Sequence, residues 1–188
     1  MGVPNGRDLV GAGIGRLGQD LGELGAGGGS RAGNVGECDG VERAFQRIQD
    51  VLRLEAVTRP DLLSRFGSDQ FIALDRLRYT TDGTAVSLER SLMPASGGLE
   101  SLPTVGLIEN SLTITLAAYG YVGAEGDQWI GAEPLSDGDA ELLGRPAGSV
   151  FLKASRTTYD RRERFMEHVE SLLDPLHFRL HLQFGNSK

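Results

Sequence analysis

Two arginines and a glutamate fall on one face of a predicted β-hairpin. Arg76 and Arg78 lie two residues apart in a predicted strand, and Asp82-Gly83 supplies a turn signal before the return strand. With these two residues at the centre of the turn, Arg76 faces Glu89 across the hairpin. The backbones of two residues at this spacing are about 7 Å apart, which lets both guanidinium groups converge on one anion. The alternative is an Arg76–Glu89 ion pair on a solvated face, which contributes little stability.

The assumed two-residue turn also predicts the neighbouring pairs of this hairpin. It places Arg78 opposite Ser87 and Tyr79 opposite Val86. Because side chains alternate along a strand, the polar pairs share one side of the hairpin and the apolar pairs share the other. The sequence therefore predicts one polar and one buried face.

Ser111 is a second candidate for anion binding. Four apolar residues recur at helical spacing and Gly120 follows them, so a helix of two to three turns is predicted to begin near Ser111; the four are Ile108, Leu112, Leu116 and Tyr119. A hydroxyl beside the free N–H groups of a helix N-terminus suits a phosphate or a carboxylate. Plain N-capping of the helix is the alternative interpretation.

No metal or cofactor site is predicted. His177 and His181 are four residues apart in a predicted strand, hence about 13 Å apart along it, so they cannot share one ion. Cys38 is the only cysteine, which excludes a thiolate cluster within one chain. Zinc-protease, nucleophile-elbow and P-loop motifs do not occur in the sequence.

Residues beyond position 40 predict an α+β fold, a mostly antiparallel sheet with flanking helices. Strands are predicted at 51–57, 71–79, 85–92, 128–133, 149–159, 164–171 and 177–184, and helices at 41–50, 60–66, from 111 to about 119, and from Ser136 to Gly144, with a loop at 94–103. A weak repeat supports this order of elements. An offset of 78 residues superposes Leu74 on Leu152, Arg78 on Arg156, Asp82 on Asp160 and Glu89 on Glu167.

Residues 1–40 differ in composition from the rest of the chain. They contain 14 of the 27 glycines, which predicts a disordered tail followed by one globular domain over residues 41–188. A GxGxxG match at Gly13–Gly18 lacks the strand and helix that a dinucleotide site needs. The net charge of −7 argues against nucleic-acid binding driven by overall charge. The apolar runs are too short for a membrane span, and no secretory signal is recognised at the N-terminus, so a cytoplasmic protein without membrane contact is expected.

The ordered set of pieces in the globular region resembles the UTRA domain. The pieces are FIALDRLRYTTDGTAVSLERSLMP, then GLIENSLTITLAAYG, then IGAEPLSDGDAELLGRPAGSVFLKASRTTYD, then FMEHVESLLDPLHFRLHLQF. This domain is the effector-sensing half of GntR-type transcription regulators of the HutC subfamily, and its fold is similar to chorismate lyase. The resemblance covers roughly residues 41 to 184 and lies in the order of the pieces, because no single motif is diagnostic.

The resemblance implies a shared effector pocket for residues singled out above. Arg76, Arg78, Glu89 and Ser111 match positions that line the pocket in family members, and Glu167 matches a glutamate on the penultimate strand. It further implies a small anionic metabolite as ligand, either a sugar phosphate or a carboxylate, together with a homodimer and a sensing role in place of catalysis.

Two departures from the family pattern leave alternatives open. The stretch Leu172–Phe178 replaces a more polar run, so a less polar effector is possible. The family places a winged helix-turn-helix of about 70 residues before this domain, whereas glycine-rich residues 1–40 stand here, so DNA contact is expected only through a domain absent from this chain. The alternatives are an interaction protein that forms mixed dimers with a full-length regulator, and an enzyme similar to chorismate lyase.

Overall fold

The structure is a computed structural model and describes residues 48–180. Six antiparallel strands form one sheet in the order β1-β2-β3-β6-β5-β4. The strands are β1 (Ile48–Thr58), β2 (Gln70–Tyr79), β3 (Ala85–Pro94), β4 (Gly123–Pro134), β5 (Val150–Asp160) and β6 (Phe165–Leu173). The helices are α1 (Leu63–Phe66), α2 (Leu102–Val105), α3 (Leu112–Ala118) and α4 (Asp137–Leu143), with short 3-10 turns at Pro60–Leu62, Leu99–Ser101 and Ile108–Asn110.

Most predicted elements are confirmed, and four need correction. The helix predicted at 41–50 is wrong where the structure describes it, because β1 begins at Ile48, and its remainder lies outside the described residues. Strand β4 begins at Gly123, ahead of the predicted 128, and the predicted loop at 94–103 contains helical turns. The predictions for residues 1–40 also lie outside the described residues.

The strand predicted at 177–184 is absent from its described part, 177–180. Asp174 turns the chain there, since its carbonyl oxygen accepts hydrogen bonds from the backbone N–H groups of His177 and Phe178. Its carboxylate also accepts one from the N–H of Leu176 and pairs with Arg145 at 3.0 Å. These local acceptors satisfy N–H groups that a strand would present to a neighbour, so the alternating pattern does not extend the sheet.

The β2–β3 turn has three loop residues, one more than predicted. The N–H of Thr80 donates to the carbonyl of Thr84, and Gly83 lies at φ 85°. Tyr79 therefore pairs with Ala85, and a bulge at Val86 then restores the predicted pairing from Arg78 with Ser87 onward. The predicted partner of Tyr79 is wrong, whereas Arg76 opposite Glu89 is confirmed.

The predicted internal repeat exists, but its offset is 80 residues and not 78. In the second hairpin the backbone N–H of Asp160 donates to the carbonyl of Arg164. Tyr159 pairs with Phe165 and Thr158 with Glu167, so Met166 occupies the bulge equivalent to Val86. Both units follow the order strand, helix, strand, turn, strand. The structural counterpart of Arg156 is consequently Arg76, not Arg78, and the counterpart of Glu167 is Ser87, not Glu89.

The two sides of the sheet are covered differently. We call the side that bears Ile72, Leu74, Arg76 and Arg78 the front face and the other side the back face. Helix α4 packs on the back face against Leu77, Leu88 and Phe151, and Phe66 of α1 packs there against Phe71 and Phe165. The segment between the two repeats covers the front face at Ile72, Leu74 and Met93. No helix within residues 48–180 is long and apolar enough to cross a membrane.

The two equivalent turns generate a stability prediction. Gly83 and Glu163 occupy the same position with φ of 85° and 59°, and a left-handed backbone costs an L-residue about 1–2 kcal/mol. Glu163 is exposed. We expect Glu163→Gly to stabilise the domain by about 0.5 kcal/mol after the added backbone entropy is subtracted, and Gly83→Ala to destabilise it by about 1 kcal/mol. Urea unfolding measures both, and an equal sign for the two changes would contradict the equivalence of the turns.

Candidate functional site

The predicted pair of arginines shares one carboxylate oxygen on the front face. Nη2 of Arg76 lies 2.9 Å and Nη2 of Arg78 lies 3.2 Å from Oε2 of Glu89. Arg76 and Glu89 are buried, while 31% of the Arg78 side chain is exposed. The Arg76–Glu89 ion pair of the alternative interpretation is therefore present, but it is not on a solvated face, because both of its members are withdrawn from water. Burial lowers the pKa of the Arg76 guanidinium, and the charge of Glu89 opposes that change.

Glu167 lies on the same face and meets an arginine that the sequence interpretation had not selected for the site. Nη2 of Arg156 is 3.6 Å from Oε2 of Glu167. The carboxyl is buried, and burial raises its pKa even though Arg156 and Arg76 favour the charged form. The nearby Ser91 hydroxyl also favours the charged form of Glu167. It has no hydrogen-bond partner of normal geometry within residues 48–180.

Arg156 was visible in the sequence only as a repeat match to Arg78. The corrected offset shows that it occupies the position of Arg76 in the second unit. The available signal was an arginine on the first strand of each hairpin. The offset of 78 matched Arg156 with Arg78 and Glu167 with Glu89, which are not their structural counterparts.

Ser111 caps helix α3, as the plain capping interpretation predicts. Its hydroxyl accepts a hydrogen bond from the N–H of Ile114 at 3.2 Å. The preceding residue, Asn110, accepts a hydrogen bond from the side chain of Gln49, which lies opposite Arg78 on β1. Ser111 is thus joined to the charged cluster through β1 and is not paired with it directly. Its role in effector binding stays a prediction.

The loop before Ser111 holds an unfavourable backbone. Glu109 and Asn110 have φ of 51° and 55°, a left-handed region that non-glycine residues rarely adopt. Asparagine tolerates this region better than glutamate does. Two such residues in succession, held beside Gln49, are typical of a segment whose conformation is set by its surroundings.

Several donors of the charged cluster lack partners. The buried Nε atoms of Arg76, Arg78 and Arg156 and the buried hydroxyl of Ser87 have no hydrogen-bond partner within residues 48–180. Unpaired buried donors are rare in folded proteins and cost free energy. Three guanidinium groups against two carboxylates also leave the cluster short of negative charge. The arrangement is suited to an anion that accepts several hydrogen bonds.

Apolar side chains border this cluster on the front face. Val51 lies opposite Arg76 on β1, and Ile130 lies on the same face of β4; both are partly exposed. Leu173, from the stretch that departs from the family pattern, pairs with Ser87 beside Arg78. The apolar character expected from that departure therefore reaches the edge of the cluster.

Other possible sites in the described region have a different character. A cavity of about 230 Å³ on the back face is lined by Arg90, Asp139, Lys153 and Glu133, whose charges are paired with one another. An open depression of about 310 Å³ lies at the β5–β6 turn beside Arg161 and Arg162. Within residues 48–180 there is no group of three His, Cys, Asp or Glu placed to hold a metal ion.

Comparison with known proteins identifies the family. The profile of the UTRA domain matches residues 50–179, more than half of the chain. The chain therefore belongs to the UTRA domain family, and the predicted resemblance is confirmed. No curated protein sequence matches the chain.

Solved GntR-family regulators share this fold. PhnF from Mycobacterium smegmatis has a TM-score of 0.67 and 22% identity over 74% of this chain, and the match spans 63% of the PhnF chain, less than two thirds of it. The effector domain of PhnF from the same organism has a TM-score of 0.67 and 22% identity, and the match covers 73% of this chain and 86% of that domain. A GntR-family regulator from Enterococcus faecalis V583 has a TM-score of 0.60 and 18% identity, and the match covers 72% of this chain and 99% of that one. The predicted α+β antiparallel fold is confirmed.

The buried carboxyl of Glu167 generates a pH prediction. Its pKa is raised in the folded protein, so its contribution to stability is present below the unfolded value of about 4.3 and is lost as the pH rises through the folded pKa. Glu167→Gln should match the wild type near pH 4 and melt a few degrees higher at pH 8, where ~1 kcal/mol corresponds to roughly 3 °C.

Glu89→Gln is the matched control for this measurement. Its carboxylate pairs with two arginines, so the substitution should lower the melting temperature at pH 8. Calorimetry or circular dichroism from pH 4 to 8 gives both values. A Glu167→Gln variant that melts below the wild type at pH 8 would show that attraction to Arg156 outweighs the cost of burial.

Proposed function

We propose that this chain is the effector-sensing domain of a GntR-type regulator of the HutC subfamily and that it binds a small anionic metabolite on the front face. The observation behind the proposal is the charged cluster itself. Arg76, Arg78 and Arg156 face only Glu89 and Glu167, and the Nε donor of each arginine lacks a partner in the described region. An anionic ligand supplies both the missing charge and the missing acceptors.

The residues proposed for this site have distinct roles. Arg76 and Arg78 hold the anionic group, and Glu89 keeps their guanidinium groups together by accepting from both. Glu167 offers a carboxyl at the other side of the cluster. Ser111 lies at the start of α3, beyond Gln49 and Asn110. Sugar phosphates and carboxylates both present the acceptors that this set requires.

Effector binding is proposed to change a dimer of the regulator. The strained loop at Glu109 and Asn110 connects the cluster to α3, so a ligand that rearranges Gln49 or Arg78 also acts on that helix. In this proposal the domain acts in the cytoplasm as a homodimer and regulates transcription through a winged-helix domain that reads DNA. The role is sensing, without catalysis, a cofactor or membrane contact.

A ligand screen by thermal shift tests the proposal. The full chain is heated with sugar phosphates, amino acids and aromatic carboxylates, and a true effector at ten times its Kd stabilises by about 1.4 kcal/mol, or roughly 4 °C. We expect Arg76→Ala and Arg78→Ala to abolish the shift. The partly exposed Arg78 is the safer variant, because truncating buried Arg76 leaves Glu89 poorly paired.

Arg161→Ala is the control, because Arg161 is exposed at the β5–β6 turn, away from the cluster. It should retain the full shift. A folded chain that gains no stability from any anion would refute the sensor proposal. A shift that survives Arg78→Ala and Arg76→Ala would place the ligand elsewhere.

A further inference from the structure

Building on the proposed function, we infer that Arg156 determines specificity by binding a second anionic group, so that the effector carries two anionic groups. One group is held by Arg76 and Arg78, and the other by Arg156. The inference follows from the position of Arg156 in the sheet, from its loose pairing with Glu167 and from the charge balance of the cluster.

The position of Arg156 gives the site two cationic ends. Arg76 and Arg156 are equivalent residues of the duplicated unit, and they stand on β2 and β5 with β3 and β6 between them. Three strand spacings and an offset of two residues along the strands separate their backbones by about 16 Å. Because both side chains are long and share the front face, their guanidinium groups can approach the two ends of one small ligand.

Small side chains lie on the front face between the two arginines. The front-face positions of β3 and β6 that separate the arginines include Ser91, Val169 and Ser171, and Ala154 follows on β5. These are small side chains, whereas the long Glu89 and Glu167 side chains are engaged with arginines. These small side chains are buried, so a ligand that spans the two arginines would contact the charged side chains above them and not the strands themselves.

The pairing of Arg156 with Glu167 is loose. Its 3.6 Å separation exceeds the 2.9 Å between Arg76 and Glu89, and charge-assisted hydrogen bonds are usually about 2.7–2.9 Å. The Nε of Arg156 has no partner in the described part of the chain, and 37% of the side chain is exposed. We expect a shorter N–O distance in an ion pair with only a structural role, so Arg156 retains donors for a ligand.

The charge balance favours a second anionic group. Glu89 satisfies one positive charge at the Arg76 end. Burial raises the pKa of the Glu167 carboxyl, which disfavours its charged form, and its nearest oxygen is 3.6 Å from Arg156. A ligand with one anionic group would leave Arg156 undercompensated, whereas a ligand with two serves both ends.

Matched pairs of simple acids test this inference on the full chain. Succinate, glutarate and adipate are compared by isothermal titration calorimetry with butyrate, pentanoate and hexanoate, which have the same chain lengths and one carboxylate. We expect at least one diacid to bind at least tenfold more tightly than its matched monoacid. Arg156→Gln should remove this preference without weakening monoacid binding, and Arg156→Lys should retain part of it.

Lys153→Gln is the matched control, because Lys153 is a cation of the same strand that pairs with Glu133 near the back-face cavity. It should retain the diacid preference, and circular dichroism establishes that each variant is folded. Equal binding of diacids and monoacids, or a preference that survives Arg156→Gln, would overturn the inference. Binding only of other anions would overturn it while leaving the sensor proposal intact, and binding of no anion at all would overturn both.

Discussion

The antiparallel pairing of β3 with β6 joins the two halves of this domain, and the rest of the sheet depends on it. Each repeat contributes three strands and one short helix on the back face, a unit that buries little on its own. The pairing places Arg90 opposite Glu170, and these two residues are themselves equivalent under the offset of 80. The two halves are thus related by an approximate twofold axis through this pair.

That symmetry is broken by the segment between the repeats, and the break leaves Arg78 and Arg156 of the charged cluster partly exposed. Helices α2 and α3 pack mainly over Ile72, Leu74 and Met93 of the first half, and Met166 is the one residue of the second half among the described buried members of this apolar cluster. On the second half, Ile130 and Arg156 remain partly exposed on the same face. A duplicated sheet with a one-sided cover therefore provides a surface where buried charge meets solvent.

The charged cluster is costly to keep in a folded domain. Arg76, Glu89 and Glu167 are all buried, and replacing buried ion pairs by apolar groups of similar size is often neutral or stabilising. Unpaired Nε donors add to that cost. Sheet packing alone does not require such a group of residues, whereas the proposed binding of an anionic effector would account for it. Perturbed pKa values in a partly open site are typical of functional positions.

The pairing of Arg76 with Glu89 was predicted correctly from a turn that was predicted incorrectly. The actual loop has one more residue, and the bulge at Val86 compensates for it before the chain reaches Ser87. The equivalent bulge at Met166 lies 80 residues after Val86, so the offset of 78 came from matching residue types such as Asp82 with Asp160 that the structure does not place at equivalent positions. A bulge depends on pairing with a neighbouring strand, so no local pattern of residue types reveals it.

The sequence alone determined the features that depend on local chemistry. The alternation in β2 and β3, the caps at Ser111 and Ser136 and the choice of Arg76, Arg78 and Glu89 as one group all follow from side-chain period and turn residues. Only the tertiary structure decided that residues from position 48 form an edge strand, that the chain turns at Asp174, and that Arg156 reaches Glu167. Those outcomes depend on which strands become neighbours, and long-range pairing is set by the burial of the whole sheet, not by any short segment.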